Sequence, residues 1–435
     1  MTKVRLKRGF ASIENLRDSI EKGDPWSSDD HGKNGAHDSG NSVPKSQWAH
    51  PRWARVNTLK TTMHDQLSTT FKGYKRVDSL EQVLSSVSNP ESRLVYVDTN
   101  IPNLLALAAT TDISKTPAYL NGLIILQDKA SCFPAYLLDP DLLDGNIFDA
   151  CAAPGNKSTH LAAILGEQKG TFQESKIYAC ERDNIRAATL QRMVRTAGAG
   201  DIVSIRSGQD FLTTDPNVSP WSNVGSLLLD PSCSGSGIVG RDQALRVVLP
   251  SRQPISSSSK RSKKRKREID ISTQPVLQAQ QEEIPFIETQ QSYQLTARLT
   301  ALSTFQLKLL LHAFHYPKAR KLTYSTCSVY AEENEHVVMK ALNSPIAKER
   351  GWRILRRDNQ ISGMKAWGIR GDVQACKDIV ASVPCEELAD ACIRCEKGTE
   401  KGTQGFFVAA FVRDIDGGVE EDLLEEEWVG FGDDQ

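Results

Sequence analysis

The sequence has no long apolar run. Nowhere in its 435 residues is there a stretch of about 20 apolar side chains such as a membrane-spanning helix needs. The first ten residues, MTKVRLKRGF, are basic but lack an apolar segment behind them, so they do not read as a secretory signal. Nine cysteines are scattered without the spacing of a disulfide framework, so a reducing, intracellular compartment and individual thiols are expected. Net charge is also nearly absent, at −1.

That balance hides a segregation. The last residues, from Asp414 to Gln435, carry ten Asp/Glu and no Lys/Arg, so the rest of the chain is clearly basic. Eight Lys/Arg fall between Arg252 and Arg267, most of them in KRSKKRKR. A basic body suits a polyanionic partner, because each neutralised phosphate releases counterions. The basic run reads as a nuclear import signal or a basic arm touching RNA.

Texture divides the chain into four parts. Residues 1–50 are mostly polar, rich in Ser, Asp, Gly and His from Ser27 to Ser46, and are expected to be disordered. Residues 51–115 alternate short apolar segments with turn residues, as in a small α+β unit. Residues 116–413 alternate strand-like and helix-like segments, interrupted by a Ser-, Lys- and Gln-rich insert at 251–290 expected to be disordered. An acidic, disordered tail covers 414–435. The strand candidates of the large region are Asn146–Ala150, Lys176–Cys180, Asp201–Arg206, Ser226–Asp230 and Lys321–Thr326, the last preceded by a helical stretch at Leu295–Phe314. Strands alternating with helices predict an α/β fold with a mainly parallel sheet covered on both faces. In such sheets ligands bind beyond the carboxyl ends of the strands.

The unusual residues cluster at those ends. Cys151-Ala152-Ala153-Pro154-Gly155-Asn156-Lys157 follows the first strand, where small residues let backbone approach a ligand closely. It is not a nucleotide P-loop, since Asn156 stands where the Gly before the lysine would be. Glu181 follows the second strand and is placed to accept both hydroxyls of a ribose, although such a carboxylate taken alone is more often a helix cap. Asp230-Pro231-Ser232-Cys233-Ser234-Gly235-Ser236-Gly237 puts a carboxylate and a thiol after an apolar strand. Tyr324-Ser325-Thr326-Cys327-Ser328 puts a second thiol after another, with Glu332, Glu333 and Asn334 starting a helix beyond it. A lone cysteine is usually an inert small hydrophobe. Two at the mouth of one sheet are harder to read as core.

CAAPGNK, DPSCSGSG and STCS, in this order, resemble the Fmu/Sun family of RNA cytosine-5 methyltransferases, and most closely its eukaryotic nuclear branch acting on large-subunit rRNA. PRWARVNTLK (Pro51–Lys60), LQDKASC (Leu126–Cys132), EENEHVV (Glu332–Val338) and GFFVAAF (Gly405–Phe411) extend the match over roughly Pro51 to Val412, without the insert. The resemblance implies a class I, Rossmann-like methyltransferase fold that uses S-adenosylmethionine (SAM). It implies that the Cys327 thiolate adds to carbon 6 of cytosine, making carbon 5 nucleophilic enough to be methylated, and that Cys233 assists release. Asp230 would hold the cytosine edge and Lys157 would position the base. Residues Cys151 to Lys157 would cradle SAM, Glu181 would take its ribose with support from Arg186, and Asp210 would lie near the adenine. The target is a flipped-out or single-stranded cytosine in RNA, expected in rRNA or a pre-ribosome. The unit at 51–115, with Arg52, Arg55, Lys60, Lys72, Lys75 and Arg76, is a candidate RNA-docking surface. Neither DNA nor a membrane is an expected partner; a monomer acting in the nucleus, at the nucleolus, is. Members of this branch usually carry a longer helical region before the PRWARVN-like strand, so the roughly fifty residues here suggest a shortened form. The rival class is a ribosome-assembly factor that keeps the fold and binds RNA, with catalysis dispensable. Cys376, Cys385, Cys392 and Cys395 contain one tight pair where structural zinc wants two, so no metal is expected. Trp221 and Trp367 read as packing residues.

Overall fold

The computed structural model describes residues 50–88, 93–141, 145–168, 175–238, 284–377, 379 and 383–414, with the side chains of 284–292 left aside. The expected disordered N-terminal segment, KRSKKRKR and the acidic tail beyond Asp414 lie outside these residues. Among the described residues no helix is long and apolar enough to cross a membrane.

The first sheet is built from β1 (Arg52–Val56), β2 (Lys75–Val77), β3 (Leu94–Val97), β4 (Leu104–Leu107) and β5 (Ile124–Leu126), in the order β2-β3-β4-β1-β5. Alternate side chains point to opposite faces, so each strand serves two cores. Ala54, Val56, Leu105 and Leu107 pack under Phe71 and Ile113. Trp53, Leu104 and Ala106 face the other way and share a core with Phe133, Trp367 and Val408 of the larger region. The texture of the sequence put a boundary after residue 115, but the sheet continues to β5, whose Ile124–Leu126 pairs antiparallel with β1.

The second sheet contains β6 (Asn146–Asp149), β7 (Ile177–Glu181), β8 (Val203–Ser207), β9 (Val224–Leu229), β10 (Lys321–Thr326), β11 (Arg353–Ile354), β12 (Ile393–Cys395) and β13 (Phe406–Val412). Its order is β11-β13-β10-β9-β6-β7-β8, with β12 also pairing with β13. Strands β6 to β10 run parallel to their neighbours, and β13 is antiparallel to β10. Every residue of β7 and β9 is buried, as expected of parallel strands covered on both faces. The main helices are α1 (Lys129–Leu138), α2 (Asn156–Glu167), α3 (Asn184–Ala197), α4 (Ile284–Phe314) and α5 (Glu335–Leu342). One core joins Leu161 and Leu165 of α2 and Leu190 and Val194 of α3 to Ile147, Ala179 and Leu228 of the sheet. Another joins Leu310 and Phe314 of α4 and Val338 of α5 to Phe148, Leu227, Tyr324 and Phe407. Helix α4 begins at Ile284, so it takes the last seven residues of the insert expected to reach 290.

Local sequence fixes the helix starts that matter. Gly155 precedes α2 with φ +112°, and a Cβ there would lie 3.0 Å from Leu190 Cδ1 and 3.1 Å from Met193 Cβ. Only glycine meets both demands without strain. Asp183 caps α3 by accepting from the backbone N–H groups of Ile185 and Arg186 at 2.8 and 2.9 Å. Strand register then aligns the chemistry. Asp149 pairs with Leu228, and Leu229 pairs with Tyr324, so the residues following β6, β9 and β10 emerge at one edge.

Candidate active site

A cavity of about 660 Å³ opens at this edge. Its floor includes Ala150, Cys151, Ala153, Pro154 and Lys157 after β6, and Glu181 at the end of β7. Asp230, Cys233 and Cys327 form the wall after β9 and β10. Most of the residues singled out from sequence therefore meet in one place. Ala152, Gly155 and Asn156 do not line the cavity: Ala152 is packed in the core, Gly155 turns the backbone, and Asn156 opens α2.

The two thiols face each other, with Cys233 Sγ 2.9 Å from Cys327 Sγ. That hydrogen bond, with burial and the Cys327 and Asp230 charges, pushes the Cys233 thiol far above its ordinary range. Burial and the Asp149, Asp230 and Glu181 charges likewise push up Cys151. Lys157 Nζ donates to Asp230 Oδ2 at 2.6 Å and to Ser131 Oγ at 3.1 Å, and lies 5.4 Å from the centre of the Phe406 ring. Burial opposes the Lys157 charge, but Asp230 and, further off, Asp149 and Cys327 outweigh it and hold the ammonium above its usual range. Asp230 Oδ1 accepts from Ser325 Oγ at 2.8 Å, so both oxygens of this carboxylate are anchored.

Across the cavity, Glu181 is buried, accepts from the Asp183 N–H at 2.8 Å and pairs with Arg186 at 3.3 Å. Arg186 also donates to the Ala153 carbonyl at 2.8 Å, tying the ribose candidate to the loop after β6. Asp210 caps the short turn Phe211–Thr213, accepting from the Leu212 N–H at 3.0 Å, beside an apolar wall of Phe211, Phe305 and Leu309.

Sequence reasoning gave no role to Ser131, Phe305, Leu309 or Gln404–Phe406, which all line the cavity. The last group arrives from far along the chain because two backbones touch. Gly237 N donates to the Cys327 carbonyl at 3.0 Å and Gly405 N to the Gly237 carbonyl at 2.9 Å, while a Cβ on Gly237 would sit 2.1 Å from the Gly405 oxygen. The Gly-rich sequence DPSCSGSG was the available signal.

Other expectations meet corrections or find their place. Arg55 is no surface cation: it is 1% exposed, and its guanidinium donates to Gln127 Oε1 at 2.8 Å and Thr159 Oγ1 at 3.0 Å. Lys60 is exposed and donates to the Asn121 and Thr196 carbonyls, and Lys72, Lys75 and Arg76 are exposed too. Trp221 stacks on Phe148 at 4.7 Å, and Trp367 is buried against Phe133 at 5.0 Å. Cys376 and Cys392 belong to one core with Cys385 packed against it, and Cys395 belongs to another. Among the described residues no His/Cys/Asp/Glu group could hold a metal ion.

A parallel sheet of this order with one antiparallel strand, and acid- and thiol-bearing strand ends around a cavity, defines a class I methyltransferase fold. A methyltransferase homologue from Pyrococcus horikoshii has this fold: its crystal structure superposes with a TM-score of 0.51 at 20% identity, covering 85% of this chain and 88% of that one. A family profile described as NOL1/NOP2/Sun domain family member 5, ferredoxin-like domain, matches residues 50–127, and one described as 16S rRNA methyltransferase RsmB/F matches residues 135–279. The 25S rRNA (cytosine-C(5))-methyltransferase rcm1 of Schizosaccharomyces pombe is 36% identical over 82% of this chain and 62% of its own length. The 26S rRNA (cytosine-C(5))-methyltransferase nsun-5 of Caenorhabditis elegans is 31% identical over 83% of this chain and 67% of its own. The chain belongs to the Sun family of RNA cytosine-5 methyltransferases, in the member-5 branch, and the resemblance read from its motifs is borne out. It spans less than two thirds of the length of the fission-yeast relative.

Proposed function

We propose that this chain methylates carbon 5 of a cytosine in large-subunit rRNA, with SAM as methyl donor, Cys327 as nucleophile and Cys233 assisting release. The observation that carries the reading is the pair of thiols 2.9 Å apart beside the Lys157–Asp230 pair. The cavity of about 660 Å³ falls in the usual range of cofactor and ligand sites, about 300–1,000 Å³. Its chemistry suits SAM: the buried Glu181 carboxylate for the ribose, Asp210 and the apolar wall for the adenine, and the small-residue loop from Cys151 to Lys157 for close backbone approach. SAM, when bound, supplies an electrophilic methyl group.

The protein's part follows from the geometry. The Cys327 thiolate accepts a hydrogen bond from the Cys233 thiol and bonds to carbon 6, pushing the electron pair of the 5,6 double bond toward carbon 5. Asp230, anchored by Lys157 and Ser325, holds the base edge, and the Lys157 ammonium steadies charge that develops on the ring. After transfer a base takes the carbon-5 proton. The C–H electron pair then re-forms the double bond as the carbon–sulfur bond breaks, with Cys233 assisting. The exposed Lys72, Lys75 and Arg76 are the candidate RNA contacts of the first sheet, and the proposed setting is a monomer acting at the nucleolus.

A covalent trap tests the reading. Cys233→Ala is expected to accumulate a denaturation-resistant protein–RNA adduct, and Cys327→Ala to form none and lose methylation. Methylation by Cys327→Ala would overturn the assignment. Failure of the unaltered protein to bind SAM in calorimetry would leave the fold acting as an RNA-binding assembly factor.

A further inference from the structure

The cysteines sit on two different loops, yet one dipeptide holds both. Glu333 is fully buried, and its carboxylate accepts from the Ser234 N–H at 2.9 and 3.3 Å and from Gln306 Nε2 at 3.0 Å. Gln306 Nε2 also donates to the Ser232 carbonyl at 3.0 Å. The peptide planes on either side of Cys233 are therefore both gripped by the Glu333–Gln306 pair. Tyr324 closes the arrangement, its one hydroxyl proton shared between the Glu333 carbonyl at 2.5 Å and Gln306 Oε1 at 3.1 Å.

The next residue does the same for the other thiol. Asn334 is also fully buried; its Oδ1 accepts from Thr326 Oγ1 at 2.5 Å and its Nδ2 donates to the Ser328 carbonyl at 3.1 Å. Both neighbours of Cys327 are thus fixed by one side chain. A buried carboxylate or amide that loses its partners is left desolvated and unpaired, so these bonds resist rearrangement. Neither residue lines the cavity.

We propose that Glu333 and Asn334 are positioning residues that set the distance between the two thiols, Glu333 holding the releasing cysteine and Asn334 the attacking one. The inference rests on the two-cysteine reading above and goes beyond it by predicting opposite failures from adjacent residues. In Glu333→Gln one of the two oxygens that accept from the Ser234 N–H becomes an NH2 donor facing it, the grip on the Cys233 loop loosens, and release suffers while attack survives. In Asn334→Ala the Cys327 loop loosens, and attack suffers first.

The test compares the two variants with Cys233→Ala, using the full chain, SAM and a cytosine-containing substrate RNA. Glu333→Gln is expected to retain a single-turnover burst of methyl transfer, accumulate adduct, and lose about tenfold or more in multiple turnover. Asn334→Ala is expected to lose the burst and form little adduct. Gln306→Leu, which removes the second half of the Cys233 grip, is expected to behave as Glu333→Gln does and stands in for it if that variant does not fold. General loosening of the fold would reduce burst and turnover together in every variant and trap no adduct, and that result overturns the proposal. Absence of adduct in Cys233→Ala itself would instead overturn the two-cysteine reading, and this inference with it.

Discussion

Asp149 shows how much a single residue at the ligand edge can cost. It ends β6 fully buried, accepts from Ser158 Oγ at 2.6 Å through Oδ2, and leaves Oδ1 without a partner. Burial pushes its carboxyl up to about 6, with the Ser158 bond and the Lys157 charge opposing only in part. An unfolded Asp titrates near 3.9, so the folded state binds the proton more tightly. The resulting stability is fully present below about pH 4 and is lost as pH rises through about 6. Asp149→Asn keeps an acceptor for Ser158 and cannot ionise. Its melting temperature is expected to match that of the unaltered protein near pH 4 and to rise above it by pH 7, a gain on the order of 2–3 kcal/mol. Parallel melting curves across that range would show that the carboxylate carries no such penalty. The motif marked this part of the chain as a site, but a carboxylate with one unpartnered oxygen is visible only once the helices are folded over it.

At the scale of elements, the parallel strands were legible because most are short apolar runs followed by small or acidic residues. Expected and observed strands differ by a few residues at their ends, since the apolar pattern fixes a strand better than it fixes its last hydrogen bond. The convergence of three distant segments on Cys327 was not legible. It depends on register, which pairs Thr326 with Phe407 of β13, and on the contact between Gly237 and Gly405. No local pattern encodes a contact between backbones so far apart in sequence. Gly237→Ala tests it. A Cβ 2.1 Å from the Gly405 oxygen forces the loop carrying Cys233 away from β13 and breaks the bond that holds the Cys327 carbonyl. Methylation is expected to fall about 10²-fold, since misplacement of about 1 Å suffices, while SAM affinity, which the proposed reading assigns to the opposite side of the cavity, changes little. Activity close to that of the unaltered protein would mean that the loop position is not critical.

The whole molecule raises the question of whether its two sheets fold as one. The texture of the sequence separated a small α+β unit from a large α/β one. The structure gives β1 and β4 two cores, one of them shared with Phe133, Trp367 and Val408. Specific bonds cross the same boundary. Trp53 Nε1 donates to the Gly402 carbonyl at 2.6 Å, Asn57 Nδ2 to the Ala197 carbonyl at 2.8 Å, and the buried Arg55 to Thr159. Lys129 adds a buried ion pair with Asp98 at 2.5 Å, its ammonium lying 5.3 Å from the Trp53 ring centre and 5.0 Å from that of Trp367. Opening the first sheet alone would strand these groups without partners, at roughly 1–3 kcal/mol for each neutral group and more for each charge. These costs couple the two sheets, so global unfolding is the expected route by which either region is exposed. Native-state hydrogen exchange measures this directly. The amides of β4 and β10, both fully or nearly fully buried, are expected to open with the same free energy and the same steep denaturant dependence. If β4 exchanged at several kcal/mol lower free energy with a shallow dependence, the first sheet would be an independently opening unit. The proposed RNA contacts of Lys72, Lys75 and Arg76 would then move relative to the thiols, instead of being held at a fixed distance from them.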